Sequence, residues 1–449
     1  MDREAEIEIT GINHQGEGVG RLEGLVVFVP GAVPGERVSI RLTDVRRSYA
    51  RGVLLKNHAP AAERVAPGCP LAENCGGCAL QHIAYPAQLR LKTELVRQTL
   101  ARTGGVSDIP VRDIIGMIDP WHYRNNVQFK VRRINGRVAL GFYARESHQM
   151  VKDGEMQDSA CLLAHRELNR VADAVRVLLE EWSSVMLPAE VALRRGGAGE
   201  IMIILGSDTG PAEVNRGESR YQALAGEIIS IPGVVSVVEH TCGRGRNSGG
   251  RYFTLAGRDF IVDELDELKF RISALSFYQV NPAQTAVLYS KALEYCDLQG
   301  GDSVADAYCG VGTIALYTAR FAGEVRGYEV VARAVEDARA NTALNGIKNA
   351  RFYAGAVEKV LPEQVAAGYR PDVVVLDPPR AGCRPEVLQA AAQSGARRVV
   401  YVSCDPATLA RDIARLTALG YALVEVQPVD MFPHTTHCEA VVRVERLKG

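Results

Sequence analysis

The sequence predicts a doubly wound α/β domain at its C-terminal end, preceded by a small five-stranded β-barrel and a central α+β domain. Three observations predict this. From Leu268 onward, short apolar runs alternate with segments of helical spacing, the signature of a largely parallel sheet covered by helices. A glycine-rich turn, Gly310 and Gly312, joins the first of these strands to the next helix. Residues 1–57 hold only short β-prone runs between Gly- and Pro-rich turns, the pattern of a small barrel of the kind that often holds oligonucleotides. The expected domains are therefore residues 1–57, 58–267 and 268–449.

In the first domain, strands are expected at Glu6–Ile12, Leu25–Val29, Val38–Leu42 and Ala50–Leu55, with Gly16-Glu17-Gly18 and Pro34-Gly35 as turns. Val38, Ile40 and Leu42 alternate with polar residues, as on a half-buried strand. Residues 58–68 read as a linker. A helix is expected over Tyr85–Arg102, then a hairpin of Tyr123–Arg133 and Arg137–Tyr143 turning at Asn135-Gly136. Leu168, Val171, Val175, Leu178 and Leu179 form one face of a further helix. In the last domain, strands fit Ser303–Ala305, Val325–Tyr328, Asp372–Leu376, Val399–Val402 and Ala440–Val444; helices fit Thr313–Phe321, Arg333–Leu344 and Pro406–Leu419. No internal repeat or low-complexity tract interrupts this order.

At 449 residues the chain is long enough for several cores. It has no apolar run long enough to span a bilayer and no apolar stretch behind its charged N-terminus, so neither a membrane protein nor a secreted one is expected. The expected location is the cytoplasm, and no obligate protein partner is evident. Ten cysteines in such a chain point to metal or catalytic thiols rather than to disulfides. The net charge of −1 does not by itself indicate a nucleic-acid partner.

Four motifs carry chemistry. Asp306 to Thr313 (DAYCGVGT) follows one strand and opens a helix; its glycines let a cofactor approach the backbone and the helix N-terminus. Glu329, 23 residues after Asp306, is placed to accept hydrogen bonds from ribose hydroxyls. Gly310, Gly312 and Ala315 also satisfy the dinucleotide spacing, which keeps NAD as a competitor. The acidic Asp306 suits a cationic methionine better than a pyrophosphate, and the remaining motifs supply methyl-transfer chemistry, so S-adenosylmethionine is preferred. Val375 to Arg380 (VLDPPR) puts Asp377 at a strand tip before a rigid turn. This motif also occurs in enzymes that methylate exocyclic amines.

Val402 to Asp412 (VSCDPATLARD) puts Cys404 between a strand end and a helix start, where backbone N–H groups are expected to favour its thiolate. A lone cysteine is more often a small buried hydrophobe; the position beside Asp377 reverses that preference. Asp430 to Glu439 (DMFPHTTHCE) places Glu439 where a loop meets the last strand. A zinc site at His434 and His437 lacks a clear fourth partner. Carbon 5 of uracil is too weak a nucleophile to attack a methyl sulfonium. A thiolate adding at carbon 6 activates it, and a base must then remove the carbon 5 proton. Cys404 and Glu439 fill these two roles, whereas amine methylation needs no cysteine. An internal RNA base would have to be flipped from its stack to reach such a pocket.

Cys69, Cys75 and Cys78 are spaced C-x5-C-x2-C, with Cys161 the best fourth ligand because it begins an expected helical segment away from the other motifs. Four thiolates hold either zinc or a [4Fe–4S] cluster, and spacing alone leaves both open. Gly76-Gly77 leaves room for a bulky cluster.

With these motifs in order along essentially the whole chain, the sequence resembles the RNA 5-methyluridine methyltransferase family, in its iron–sulfur branch that modifies 23S ribosomal RNA. The N-terminal segment resembles a TRAM domain, an RNA-binding barrel. The stretch from Cys69 to Tyr85 (CPLAENCGGCALQHIAY) is similar to the family's cluster-binding stretch, which with Cys161 implies [4Fe–4S]. Ser276 to Asn281 (SFYQVN) matches the motif that opens the family's catalytic domain, and implies that Gln279 contacts the cofactor. By pattern, Phe277 and Tyr278 look like core residues. The resemblance further implies cofactor contacts for Tyr308 (where many relatives carry Phe), Glu329 and Asp377, with Cys404 as nucleophile and Glu439 as base. It also implies that a segment following the cysteines packs on the catalytic domain. Three rivals remain: transfer RNA as the substrate, a non-catalytic RNA-binding protein, and an exocyclic-amine methyltransferase.

Overall fold

The computed structural model describes residues 3–104, 110–145, 147, 149–151, 161–182, 187–207, 219–241 and 250–447. Strands β1 (Glu4–Ile12), β2 (Glu17–Leu22), β3 (Leu25–Pro30), β4 (Arg37–Val45) and β5 (Tyr49–Ala59) close a barrel in the order β1-β2-β3-β5-β4. Ile7, Ile9, Val27, Val29, Val38 and Ile40 fill it. The run Gly16-Glu17-Gly18, expected as a turn, is instead the entry to β2. Only Gly16 turns, at φ +82°. Gly18 and Gly20 lie inside the strand because no side chain fits there: a Cβ on Gly20 would stand 2.5 Å from the Glu8 carbonyl oxygen, and one on Gly18 2.8 Å from that of Ala32. Backbone proximity, not turning, selects glycine here.

Helix α1 (Tyr85–Gly104) follows. The hairpin of β6 (Asn126–Ile134) and β7 (Arg137–Gly141) turns at Asn135 and Gly136, both at positive φ, as a two-residue turn matched to strand twist requires. With β8 (Glu190–Arg195), β9 (Ile201–Ser207), β10 (Val234–Thr241) and β11 (Arg251–Gly257) these form a six-stranded sheet ordered β11-β10-β9-β8-β6-β7. Helices α2 (Arg166–Glu181) and α3 (Gln222–Ile228) cover one face. Helix α2 buries Leu168, Val171, Val175 and Leu179 as the spacing predicts. It starts only at Arg166, with His165 as its N-cap, so Cys161 lies in a turn before the helix rather than within it.

Strands β12 (Phe260–Leu265) and β13 (Leu268–Ser273) form a hairpin that straddles the expected boundary at residue 268. Its buried residues, including Ile261, Leu265, Phe270 and Ile272, belong to the same core as Leu288 and Val304 of the last domain. The other face of the six-stranded sheet meets that core through Met202, Ile204 and Val238.

The last domain contains α4 (Pro282–Cys296), β14 (Ser303–Ala307), α5 (Thr313–Ala319), β15 (Glu324–Glu329), α6 (Ala332–Leu344), β16 (Ala350–Ala354), α7 (Val357–Ala366), β17 (Val373–Leu376), α8 (Pro385–Gln393), β18 (Arg398–Ser403), α9 (Pro406–Ala418), β19 (Tyr421–Val429) and β20 (Glu439–Arg446). The sheet order is β16-β15-β14-β17-β18-β20-β19, with β20 antiparallel to both of its neighbours. Inserting β20 between β18 and β19 departs from the all-parallel dinucleotide-binding order, which weighs against the NAD alternative. Helix α1 packs on this domain although it precedes the central one: Val96, Leu100, Val111 and Ile114 share a core with Leu409, Ile413 and Val426. Val111 and Ile115 also bridge to β19 at Val426 and Val429. This agrees with the packing that the resemblance implies.

The barrel can be tested directly. Gly20→Val should cost about 1–3 kcal/mol through forced backbone displacement, seen as an early, low-temperature transition in thermal unfolding. Gly11→Ala, with open space at its Cβ position, should stay within about 0.5 kcal/mol of the parent.

Candidate active site

The carboxyl ends of β14, β15, β17 and β18 present Asp306 and Tyr308, Glu329, Asp377, and Cys404 along one edge of the sheet. Because β20 runs antiparallel to β18 with Ser403 opposite Ala440, Glu439 at its start lies beside the end of β18 that carries Cys404. Topology thus brings a thiol and a carboxylate, 35 residues apart in sequence, to adjoining strand ends.

The glycine-rich turn is built by left-handed backbone. Tyr308 (φ +69°), Gly310 (φ +54°) and Gly312 (φ +85°) all lie in that region. A non-glycine residue there is strained, and such strain concentrates at functional sites. Tyr308 N–H donates to the Tyr328 carbonyl at 2.9 Å, holding the bend. Glu329 grips the same turn: its Oε2 accepts from Gly310 N–H at 3.2 Å and its Oε1 from Val331 N–H at 2.8 Å. Asp306 is fully buried, and neither of its carboxylate oxygens has a side-chain hydrogen-bond partner among the described residues.

The electrostatics follow from this crowding. Burial pushes the Asp377 carboxyl up to about 7. Burial, and then the charge of Asp377, raise Glu439 well above the carboxylate range, with Arg380 opposing. Asp306 is raised by burial, Asp377 and Glu329. Cys404 is pushed up to about 12 by burial and by the charges of Glu439 and Asp377. Burial and these two charges thus oppose the thiolate that the helix start was expected to favour. Asp405 caps α9, accepting from the N–H groups of Ala407 and Thr408, both at 2.9 Å. Arg380, within the VLDPPR motif but given no role by pattern, is the cation that opposes the rise at both Cys404 and Glu439.

Gln279 is buried, and its carbonyl accepts from Asn125 Nδ2 at 3.1 Å. The start of its segment is tied to α6, where Ser276 Oγ donates to Asp337 Oδ2 at 2.8 Å. Phe277, expected in the core, is instead 71% exposed, while Tyr278 is half-buried against the core. Consecutive residues on an extended segment face opposite ways, so at most one of the two rings turns inward.

The four clustered thiols share one region. Cys78 is pushed up to about 12 by burial, with further contributions from Cys161, Cys75 and Cys69. Gly77 N–H lies 3.4 Å from the Cys75 sulfur, and Arg145 donates to the Cys78 carbonyl at 2.9 Å. Among the described residues, no three His, Cys, Asp or Glu side chains converge as ligands of a single metal ion. His434 is buried, stacked on Trp121 at 3.8 Å between ring centroids, and lowered by burial to about 4, so it packs as a neutral ring. The cysteine segment reaches the catalytic edge through it: Ala79 and Leu80 N–H groups both donate to the His434 carbonyl at 3.0 Å.

A cleft of ≈ 640 Å³ opens where the barrel (His14, Gln15), the cysteine segment (Gly76, Gly77), Arg124, Arg145 and the loop at His437 meet. No helix among the described residues is long and apolar enough to cross a membrane.

Residues 245–447 match the family model described as tRNA (Uracil-5-)-methyltransferase, and residues 3–55 match the TRAM domain. An RNA methyltransferase of Halalkalibacterium halodurans is 41% identical over 98% of this chain and 96% of its own. One from Caldanaerobacter subterraneus is 40% identical over 98% of each chain. Among solved structures, the tRNA (uracil-54, C5)-methyltransferase of Pyrococcus abyssi, in complex with S-adenosyl-L-homocysteine, superposes with a TM-score of 0.73 at 25% identity, over 98% of this chain and 99% of that one.

The electrostatic geometry sets the reactivity of Cys404. Peptide-mapped iodoacetamide labelling of the ligand-free protein should be slow at pH 7 and rise about tenfold per pH unit, with no plateau below pH 9. Glu439→Gln removes the carboxyl whose charge raises the thiol, and should speed labelling at the alkaline end of the range, where Glu439 is ionised. A plateau near pH 7 would contradict the site described.

Proposed function

The chain belongs to the RNA methyltransferase family, and on that footing we propose that it transfers a methyl group to carbon 5 of a uracil in RNA, with Cys404 as nucleophile and Glu439 as base. The observation that carries the proposal is the pairing of β18 with β20, which sets thiol and carboxylate side by side at the cofactor edge of the sheet.

The residues present fit S-adenosylmethionine. Gly310 leaves open space where a side chain would stand, and the buried Asp306 carboxyl has no side-chain partner to compete with a cationic ligand. When bound, S-adenosylmethionine supplies an electrophilic methyl group on a positively charged sulfur. Gln279, Tyr308, Glu329 and Asp377 would hold it. That positive charge would offset Asp377 beside Cys404 and so ease the loss of the thiol proton.

Cys404 then forms a bond to uracil carbon 6, and the ring electrons move to an enolate that Arg380 is placed to favour. Carbon 5 takes the methyl group. Glu439, once ionised, is a stronger base than an ordinary carboxylate because burial raises it, and in that form it removes the proton remaining on carbon 5. The electron pair left behind expels the Cys404 sulfur and restores the ring.

The barrel, matched as a TRAM domain, and Arg124 and Arg145 in the adjoining cleft supply the RNA contacts. Guanidinium groups position a phosphate backbone without reading its sequence. The cysteine stretch supports 23S ribosomal RNA as the substrate. A second reading, transfer RNA, is favoured by the likeness to the Pyrococcus enzyme. Mapping 5-methyluridine in both RNAs of a deletion strain separates them. The enzyme would work in the cytoplasm, where both RNAs are found.

Cys69, Cys75, Cys78 and Cys161 would together hold a [4Fe–4S] cluster, as the resemblance of the cysteine stretch implies. Their thiols lie near enough for each to raise its neighbours, and the Gly77 backbone runs close to the Cys75 sulfur. When bound, the cluster would withdraw negative charge from the thiolates and brace one wall of the RNA cleft.

Two outcomes test this function. RNA carrying 5-fluorouridine at the target should form a stable covalent adduct, since fluorine cannot leave as a proton does. The adduct should vanish in Cys404→Ala, and its absence from the wild type would refute the mechanism. Anaerobically purified protein should be brown with broad visible absorbance, and Cys78→Ser should lose iron; a colourless, zinc-containing protein would reject the cluster.

A further inference from the structure

We infer that the buried polar face of α1, carrying Tyr85, Gln88 and Lys92, positions Glu439 for its work as base. The inference rests on the reading of Glu439 given above. The three side chains recur at helical spacing and so share one face. That face, supplied from outside the α/β fold, meets the loop between β19 and β20. Lys92 Nζ donates to Asp430 Oδ1 at 2.6 Å, with both side chains fully buried, and to the Phe432 carbonyl at 3.0 Å. Tyr85 Oη donates to the other Asp430 oxygen at 2.9 Å. Gln88 Oε1 accepts from His434 N–H at 3.1 Å, and its Nε2 lies 3.2 Å from His434 Nδ1.

The loop so held begins and ends on one rung of the β19–β20 ladder, Val429 opposite Glu439. Fixing residues 430–434 therefore fixes the stem on which Glu439 stands. A charge pair buried this completely has demanding geometry: each ion needs the other, because neither reaches water. α1 thus acts as a clamp on the base. Its N-terminal end follows directly on the cysteine segment, whose Ala79 and Leu80 grip the same His434 carbonyl.

The test separates the steps before and after proton abstraction. Tyr85→Phe keeps the ion pair and removes two hydrogen bonds, to Asp430 and from Met117 N–H; Gln88→Leu releases His434 together with the Leu80 and Ile83 carbonyls; Lys92→Met with Asp430→Asn removes both charges together, so that neither is left unpaired. In full-length protein, each variant should form the 5-fluorouridine adduct at close to the wild-type rate, because that step does not use the base. Turnover on uridine RNA should fall between about tenfold and a hundredfold, as misplacement of a catalytic group does. A methylated, protein-linked RNA should then accumulate on denaturing gels. Unchanged turnover in all three variants would overturn the inference. So would adduct formation falling in parallel with turnover, which marks a general structural role. No adduct with the wild type would refute the uracil mechanism itself, and this inference with it.

Discussion

Acidity crowded onto one edge of a sheet is the constraint around which this molecule is organised. Asp306, Asp377 and Glu439 stand with Cys404 at adjoining strand ends, and burial raises all four. Ionising such a group of neighbours together in a low-dielectric site is costly. Burial and neighbouring charge therefore favour the thiol at Cys404 and the protonated form of the acids around it, and a cation bound among them would ease both.

The second organising feature is the loop between β19 and β20. Asn281 Nδ2 donates to the Met431 carbonyl at 3.0 Å, Gln284 Nε2 to that of Asp430 at 3.1 Å, and Tyr123 Oη to that of Pro433 at 3.1 Å. With α1 and the cysteine segment, the loop is gripped from every part of the chain except the barrel, whose Gly16 packs close to Thr436. Expected as separate domains, these parts meet at one loop. That explains why residues as far apart as Lys92 and Asp430 form a fully buried ion pair, and why the cleft beside the loop is lined by three regions at once.

Much of this was legible in the sequence, because its signals are local. Alternation on Val38, Ile40 and Leu42, the positive-φ pair Asn135-Gly136, and the apolar stripe of α2 each depend on a few neighbouring residues, and each appears where expected. The strand tips bearing Asp377 and Cys404 were equally plain, since a proline that follows an apolar run marks the end of a strand. Signals that depend on what lies across space are not local. Glycine commonly marks a turn, yet Gly18 lies within a strand and yields to the Ala32 carbonyl. Aromatic rings are commonly buried, yet Phe277 is exposed.

By itself the sequence determined the kinds of chemistry available: a thiol, a set of acids, a glycine-rich turn, a second group of thiols, and the elements that carry them. Only the tertiary structure decided how those groups act on one another. The antiparallel insertion of β20 brought Glu439 to Cys404, and the docking of α1 placed a lysine beneath the loop that leads there. Protonation follows from burial and from neighbouring charge, and both are properties of packing that no stretch of sequence contains.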